Sequence, residues 1–545
     1  MKKHMLILVI LAILGPLAMW AQTPPTQPGT QPGSQPNAPL ELPDFLVTGK
    51  ALVDVASAAK HVPTRPPTFT LAELDSLNPT EKLPPPLASR RPLPLFMRKD
   101  DYSPGYVDVS GGAYLTPSLQ AGYSMRTGGY TLDLAGGIEH SQGWVDGSGY
   151  TTAQARLNSS YVAPEKFIFF GKGLTETDVQ LRHQAYSLYA DTAGMGDRSS
   201  LSLLAGVQTE AKIENVDVIG TFGWTNIGLT TSDGDTQGNG SASDNAITAN
   251  VSCAWSGGGD RSTVDVDLRL QSLNGNSYSF IEAQYGRGWK AGAWTVGVSA
   301  GPQIGWTTAN ETRPGLMARA SAQNVLSPNS TLRLELSSGM RPTSFADLFR
   351  MNPYLGDSVA VDHAYDLVDA RALITWQPSV ATSLLATVGA RSTARERTWE
   401  DGNRGTFIVS YRPVTALWAS VEGSYSVSPR DLIYGEMQLM MTSTDSGRVQ
   451  TYVAPIQVAM GYERQWTADV RSRVSIAYVG QRWADVRNTR VIDGFIDLRT
   501  TVTYSVSRVI DAEIHGENLV NSSVYLWNGY RGRGIFVRLG LLWKM

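Results

Sequence analysis

The histidines, acidic residues and single cysteine are the side chains that could carry chemistry. None of the histidines after the N-terminal segment has the spacing of a zinc site or of a catalytic triad; they are His61, His140, His183, His363 and His515. Three acidic residues of one polar stretch lack the complete ligand pattern of a calcium loop; they are Asp233, Asp235 and Asp244. Cys253 has no partner for an internal disulfide. The sequence therefore predicts no catalytic residue, no metal site and no cofactor, and we interpret the chain as a non-enzyme.

The composition points to many strands and turns rather than to a charged surface. Charged residues make up 17% of the 545 residues and the formal net charge is −3, so no basic excess predicts a nucleic-acid partner. The 53 glycines, 22 tyrosines and 14 tryptophans are typical of a chain with many turns and with aromatic residues at strand ends.

The first 21 residues have the pattern of a secretory signal peptide. Lys2 and Lys3 precede an apolar run from Met5 to Leu14, and small and helix-breaking residues follow up to Ala21. The run is too short to span a membrane as a helix, and no longer apolar run follows it. We predict an exported protein that is not held in a membrane by helices.

Residues 22–104 form a proline-rich arm. The first hundred residues hold 17 of the 29 prolines, and the part after residue 22 repeats Gln-Pro-Gly. Such a segment cannot bury a sizeable core by itself. We predict an arm that lies in the periplasm or inserts into a lumen.

Residues 105–545 alternate between apolar and polar positions. Between Thr263 and Leu270, one face carries Val264, Val266, Leu268 and Leu270, and the other carries Asp265, Asp267 and Arg269. The chain ends in the same way, because Val537, Leu539, Leu541, Trp543 and Met545 alternate with smaller or charged residues. An apolar face on a last strand, with no later segment to cover it, suits a strand that closes a barrel in lipid. The charged faces are interpreted as the wet inner wall.

The spacing of turns sets the size of the predicted barrel. Turn clusters recur about every 20 residues, which predicts an all-β fold, a transmembrane antiparallel β-barrel of about 22 strands. Short connections are expected at Pro328-Asn329 and Pro378-Ser379, and long polar loops at Gly339–Asp362 and Ser392–Arg404. We predict an integral protein of the Gram-negative outer membrane, with membrane lipid around it.

Two stretches resemble TonB-dependent outer-membrane receptors. One looks like an outer loop of that family and contains Arg341, Pro342, Ser344, Phe345, Leu348, Asn352 and Pro353. The other looks like the family's C-terminal barrel signature and contains Asn518, Leu519, Tyr525, Gly529, Tyr530, Gly532, Arg533 and Trp543. Arg531 stands where the family usually has proline, and Met545 stands where it ends in an aromatic residue. The resemblance implies the barrel of such a receptor, with its last strand read by the barrel-assembly machinery.

The resemblance does not extend to the plug domain that family members carry before the barrel. Only about 80 residues lie between the signal peptide and the first strand, so the plug is predicted to be missing. One segment resembles a TonB box or the start of a plug: Asp44, Phe45, Leu46, Val47 and Thr48. It could be captured by strand addition to a periplasmic TonB-like protein, or it could be a strand tucked against the barrel.

Two functions follow from this interpretation. The first is a transport pore gated by the protein's own arm or by a partner that supplies a plug, because a barrel of about 22 strands without a filling encloses a channel. The alternative is a scaffold or surface-anchoring barrel that transports nothing.

Overall fold

The computed structural model describes residues 104–164, 173–190, 196–232 and 240–545. Nearly all of the regular structure in these ranges is extended, as the alternating pattern predicts, with one short helix, α1 (Phe345–Met351). The strands, numbered in chain order, are β1 (Gly105–Gly112), β2 (Thr116–Thr127), β3 (Tyr130–Ser141), β4 (Tyr150–Val162), β5 (Leu174–Ser187), β6 (Asp197–Ile213), β7 (Val216–Ser232), β8 (Gly240–Gly257), β9 (Asp260–Leu273), β10 (Asn276–Ala291), β11 (Trp294–Trp306), β12 (Thr312–Ser327), β13 (Ser330–Arg341), β14 (Ala364–Ser379), β15 (Thr382–Asp401), β16 (Phe407–Ser428), β17 (Asp431–Thr444), β18 (Ile456–Gln465), β19 (Val470–Val479), β20 (Arg482–Trp483), β21 (Val491–Ile492), β22 (Phe495–Ser505), β23 (Ile510–Glu517), β24 (Tyr525–Trp527), β25 (Tyr530–Arg531) and β26 (Phe536–Lys544).

Twenty-two of these strands form one closed antiparallel barrel. The last strand closes it by pairing with the first, from Tyr106 opposite Lys544 to Gly112 opposite Arg538. The remaining four strands form two small hairpins, β20–β21 and β24–β25, within the connections before β22 and before β26. The predicted fold class and strand number are confirmed.

The closing strand has the predicted two faces. The apolar side chains from Val537 to Met545 are exposed on the outside of the barrel. On the inner face, Lys544 contacts Asp511 at 2.8 Å and Arg538 contacts Glu513 at 3.7 Å. A continuous apolar exterior with charge pairs inside is the arrangement that lipid requires of a barrel.

The two ends of the barrel differ in their connections. At the end that holds Gly105 and Lys544, called the terminal end, seven hairpins turn through two residues each; one of them is Pro328-Asn329, as predicted. The sequence also predicts a turn at Pro378-Ser379, but this turn lies at residues 380–381 because β14 continues through Ser379. The opposite end, called the loop end, carries all the long connections of the described residues except 163–173.

The prediction of a loop at Ser392–Arg404 is wrong. β15 continues to Asp401 and pairs with β16 over this stretch. Its charged residues made the stretch look like a solvated loop, but Glu396 is buried there, where it bonds to Arg341 and lies 3.6 Å from Arg391. Paired charges inside a barrel wall are compatible with a strand, which sequence polarity alone does not reveal.

Several predictions fall on residues that the structure does not describe. These are the signal peptide, the arm as far as residue 103, the segment Asp44–Thr48, and the residues His61, Asp233 and Asp235. Among the described residues, no helix is long and apolar enough to cross a membrane.

Candidate functional site

The connection between β13 and β14, residues 342–363, is called the α1 loop. Ser344 caps its helix: the side-chain oxygen accepts a hydrogen bond from the Asp347 backbone N at 3.0 Å. Asn352 ends the helix, and its backbone N donates to the Leu348 carbonyl at 2.9 Å. Pro353 follows at once, which stops the helix from continuing. The loop therefore has a defined shape rather than an extended course.

The α1 loop carries apolar side chains into a core within the loop end of the barrel. Phe345, Leu348 and Leu355 are fully buried there. They are joined by side chains from the barrel wall and from other connections, among them Ile227, Leu229, Tyr278, Trp399, Phe407, Tyr452, Trp527 and Tyr530. Burial of each large apolar side chain contributes about 1.5–3 kcal/mol, so the loop is held by packing as well as by its ends.

Arg198 on β6 holds the tip of the α1 loop. Its guanidinium donates to the carbonyls of Leu355 at 2.6 Å and Pro353 at 3.2 Å, and it pairs with Asp357 at 2.9 Å. The side chain is completely buried. A buried cation with several acceptors is well satisfied, whereas removal of the acceptors would leave it unpaired.

The C-terminal signature forms a second connection, residues 518–535, called the C-terminal loop. Asn518 organises its base: Nδ2 donates to the carbonyls of Ser522 and Arg533 at 2.8 and 2.9 Å. The β24–β25 hairpin turns at Gly529, whose φ of 82° is costly for a residue with a side chain. A Cβ at that position would lie 2.7 Å from the Cβ of Ala190. The turn therefore brings the hairpin close to the connection between β5 and β6.

The α1 loop and the C-terminal loop meet through stacked tyrosines. The rings of Tyr354 and Tyr530 lie with centroids 3.4 Å apart and planes 15° apart. Tyr189, from the connection between β5 and β6, contacts Tyr530 edge-on at 4.9 Å. The two segments that carry the family resemblance are thus in direct contact.

These three connections start from well-separated points on the barrel wall. Around the ring, eight strands separate the α1 loop from the β5–β6 connection, eight separate it from the C-terminal loop, and six complete the circle. Connections so far apart on the wall of a closed barrel can meet only across its lumen. We call the assembly of the α1 loop, the C-terminal loop and residues 188–190 after β5 the lumen cap.

The α1 loop is also anchored where it joins the wall. At its start, Arg341 bonds to Asp366 at 2.6 Å and to Glu396 at 2.5 Å. At its end, His363 is buried between β10 and β11, where its Nε2 lies 3.1 Å from the Ser279 carbonyl. The loop is therefore held at both ends and at its tip.

The tyrosines of the lumen cap lie outside the wall strands of the barrel and have altered acidity. Burial raises the pKa of Tyr189 to about 12. Burial also raises the pKa of Tyr354 and of Tyr530 above the ordinary value of 10. All three rings are thus neutral over the physiological pH range, as stacking in an apolar core requires.

The remaining residues of the C-terminal signature support the loop or face outward. Arg533 lies 3.4 Å from Glu139, 3.8 Å from Glu517 and 4.7 Å from the Phe536 ring centroid. The Tyr525 carbonyl accepts from Arg482, Gly532 packs against Val524, and Leu519 packs over Gly516. Trp543 does not join the lumen cap, because it points outward at the terminal end.

Those residues considered for catalysis that the structure describes do not form a site. Of the described residues, no group of three or more His, Cys, Asp or Glu could hold a metal ion. His140 and His183 lie on the outer face beside Thr151 and Ser199, and His515 contacts Glu517 at 3.1 Å. Asp244 is buried and accepts from the Tyr278 hydroxyl, which in turn accepts from the Phe345 backbone N. Asp244 therefore helps to hold α1 in position.

Sequence reasoning missed the side chains that receive the α1 loop. Arg198 and Tyr186 bond to the Pro353 carbonyl, and Trp399, Phe407 and Tyr452 pack in the core. Tyr186, Arg198, Trp399 and Phe407 lie on wall strands with the same alternation as their neighbours, and Tyr452 lies in the connection between β17 and β18. No local signal distinguishes them, because their role depends on contacts across the lumen.

Comparisons with known proteins agree on the fold. No family model and no curated protein matches the chain in sequence. Among solved structures, the FrpB iron transporter from Neisseria meningitidis has a TM-score of 0.65 at 9% identity, covering 82% of this chain and 83% of that chain. The copper transporter OprC has a TM-score of 0.63 at 10% identity, covering 81% of this chain and 79% of that chain.

A receptor gives the same result. The ferric-catecholate import receptor Fiu from E. coli has a TM-score of 0.60 at 11% identity, with 82% of each chain covered. These proteins are transporters and receptors by name. At such low identity the likeness establishes architecture. This chain has the fold of the barrel of TonB-dependent outer-membrane receptors, as its two motif-bearing segments predicted.

Proposed function

We propose that this protein is an outer-membrane pore for a solute, closed at the loop end by the lumen cap. The observation that carries the proposal is the contact of Tyr354 with Tyr530, which joins loops from distant parts of the wall across the lumen. A ring of 22 strands encloses more space than its own side chains fill. A barrel of this size therefore needs a closure, and the lumen cap supplies one.

The wall below the lumen cap has the character of an aqueous path. Arg156 on β4 pairs with Asp178 on β5 at 2.9 Å, and the arginine side chain is still 56% exposed. Further inward charge pairs occur around the wall, including Arg371 with Asp369 and Arg473 with Glu463. Polar, partly exposed side chains favour passage of a hydrated solute once the lumen cap moves.

We place the loop end outside the cell and the terminal end in the periplasm. Short periplasmic turns and longer outer loops are the rule for outer-membrane barrels, and the two-residue hairpins are at the terminal end. In this orientation β1 begins on the periplasmic side at Gly105, the residue that follows the arm. The arm or a separate plug-supplying protein would then close the second mouth.

Coupling to a periplasmic TonB-like protein rests on the segment Asp44–Thr48. A short segment rich in apolar residues suits strand addition to a partner's sheet edge. A photo-crosslinker placed at Phe45 should join the protein to a TonB C-terminal domain in cells, and one placed at Gln31 serves as the control. Equal crosslinking at both positions, or none at Phe45, would rule out this coupling.

A scaffold barrel is the second candidate function, and the apolar core of the lumen cap favours it. Phe345, Leu348 and Leu355 are fully buried, so opening would expose a large apolar surface. A barrel that never opens would serve to anchor partners through its loops and arm.

Planar-bilayer conductance separates the two functions. We would compare the full mature chain, a form without residues 22–104, a form with residues 344–361 replaced by a Gly-Ser linker, and a form with both changes. A pore predicts large conductance steps in the doubly changed form and smaller or rarer steps in the parent. Silence of all four forms, with barrel folding verified by heat-modifiable gel migration, would leave the scaffold.

A further inference from the structure

We propose that His363 makes closure of the lumen cap depend on pH, so that acidification releases the α1 loop. The inference rests on the proposed function only in treating the lumen cap as a gate. It identifies a regulatory residue that neither the sequence motifs nor the fold comparison indicates.

The hydrogen bonds of His363 require a neutral ring. Its Nε2 faces two carbonyls, Ser279 at 3.1 Å and Trp306 at 3.2 Å, and therefore donates. Its Nδ1 faces the backbone N–H of Thr343 at 3.4 Å and therefore accepts. One imidazole thus joins the start of the α1 loop, the end of that loop, and strands β10 and β11. A second proton on Nδ1 would oppose the Thr343 N–H and remove this acceptor.

The ring cannot turn away from these partners. His363 is 1% exposed, and the Phe280 ring lies against it with centroids 5.7 Å apart. On the other side, a Cβ at Gly305 would lie 2.4 Å from the imidazole Cδ2, so β11 has a glycine where the ring packs. Protonation must therefore be accommodated by movement of the loop rather than of the ring alone.

The charges around His363 do not offset its burial. Asp362, on the same segment, already contacts Arg313 of β12 at 3.4 Å and Arg395 of β15 at 3.9 Å. Arg269 of β9 disfavours a second positive charge. Glu311, just before β12, pairs with Arg313, and Glu282 of β10 accepts from Gln303. Burial accordingly lowers the pKa of His363 below its ordinary 6.5.

The sign of the pH effect follows from this direction. In the closed cap the imidazole binds its proton weakly, and on release it returns to its ordinary pKa near 6.5. The released state therefore binds more protons, and closure loses stability as pH falls below about 6.5. For a single titrating proton, the ratio of released to closed loop rises by up to about tenfold per pH unit.

Two readouts test this inference in the full-length protein in lipid bilayers. A nitroxide at position 350 of α1, introduced as Arg350→Cys in a Cys253→Ser background, reports loop mobility; this side chain is 59% exposed and pairs with Asp347 of the same helix. A nitroxide at Ser446, in another loop, is the control. We expect the mobile spectral fraction at position 350 to grow severalfold from pH 7.5 to pH 5, with no change at Ser446. Planar-bilayer conductance should rise over the same range.

Variants assign the effect to His363. The substitution His363→Gln keeps an amide donor for the two carbonyls but cannot titrate, so it should abolish the pH response. The substitution Gly305→Ala displaces the ring without adding charge, so it should increase mobility at both pH values. The same pH response in His363→Gln as in the parent would overturn the inference, as would no pH response in the parent. A pH-dependent nitroxide signal without conductance would support the inference and reject the pore.

Discussion

Tyr354 of the α1 loop stacks on Tyr530 of the C-terminal loop, with ring centroids 3.4 Å apart. The two residues are 176 positions apart in the sequence and lie on connections separated by eight wall strands. Their contact joins the two segments that resemble TonB-dependent receptors. An aromatic pair contributes about 0.5–1.5 kcal/mol beyond the area that it buries.

A double-mutant cycle measures this stacking. Tyr354→Ala and Tyr530→Ala should each lower the hydrogen-exchange protection of the α1 loop, and together they should cost less than their sum by about 0.5–1.5 kcal/mol. Tyr530→Phe keeps the ring but loses the 2.6 Å bond from its hydroxyl to the Gly405 carbonyl, so it isolates the hydrogen bond. Strict additivity of the two alanine changes would contradict the stacking.

Arg198 should be the strongest single anchor of the loop tip. Arg198→Ala removes hydrogen bonds from a charged donor to Pro353, Leu355 and Asp357, each worth about 1.5–3 kcal/mol. We expect exchange of the amides of residues 353–357 to accelerate at least a hundredfold, the equivalent of about 3 kcal/mol. Arg156→Ala, which removes an exposed pair on β4, is the matched control and should leave these amides unchanged. Equal protection in both variants would show that packing alone holds the tip.

Gly529 should tolerate no side chain. Gly529→Ala combines a φ of 82° with a Cβ placed 2.7 Å from the Cβ of Ala190. Backbone strain alone costs about 1 kcal/mol, and we expect the C-terminal loop to lose more stability than that. Gly447→Ala is the control, since Gly447 has a φ of 74° but open space around its Cβ position. Hydrogen exchange of residues 518–535, compared with residues 445–455, measures the difference. Equal effects would mean that the β24–β25 hairpin can shift away from Ala190.

The tyrosines of the lumen cap should make it sensitive to strong alkali. Burial raises the pKa of Tyr189 to about 12 and also raises that of Tyr354 and Tyr530 above 10. A group whose folded pKa is raised favours its protonated form in the folded state, so stability is full below pH 10 and falls as pH rises above it. Absorbance at 295 nm should show these rings ionising later than ordinary tyrosines. Tyr278 and Tyr452 are fully buried as well, so substitution of the three by phenylalanine should reduce the amplitude of that late phase rather than remove it. An unchanged amplitude would contradict the prediction.

The two faces of the closing strand should respond oppositely to charge. Leu541→Arg places a cation on the lipid face, where Leu541 is 57% exposed, and should cost about 2–4 kcal/mol near the bilayer midplane. Leu542→Arg places it inside, opposite Asp108 of β1 and Asp511 of β23, and should be tolerated. Folding yield into lipid vesicles gives the comparison. Similar losses for both would contradict the assignment of faces.

The sequence by itself determined the barrel and its size. Alternation with period two distinguishes the lipid face from the lumen face at residues such as Leu541 and Lys544, and the spacing of turns sets the number of strands, because both are local properties of a strand in lipid. The same locality explains the error at Ser392–Arg404, where a charged stretch resembled a loop. A charged residue such as Glu396 can lie in a strand because Arg341 and Arg391 pair with it. The local sequence pattern does not predict that these residues are neighbours.

Only the tertiary structure decided what the motif-bearing segments do. Pro353 and Tyr530 were singled out by resemblance. The hydrogen bond from Arg198 to the Pro353 carbonyl and the stacking of Tyr354 on Tyr530 depend on closure of the ring, which brings distant connections together over one lumen. The role of His363 was likewise invisible in sequence, because a histidine beside an aspartate does not reveal whether two wall carbonyls and an N–H surround its ring. Contacts across the lumen carry no periodic signal, since each wall strand alternates in the same way whether or not a loop packs against it.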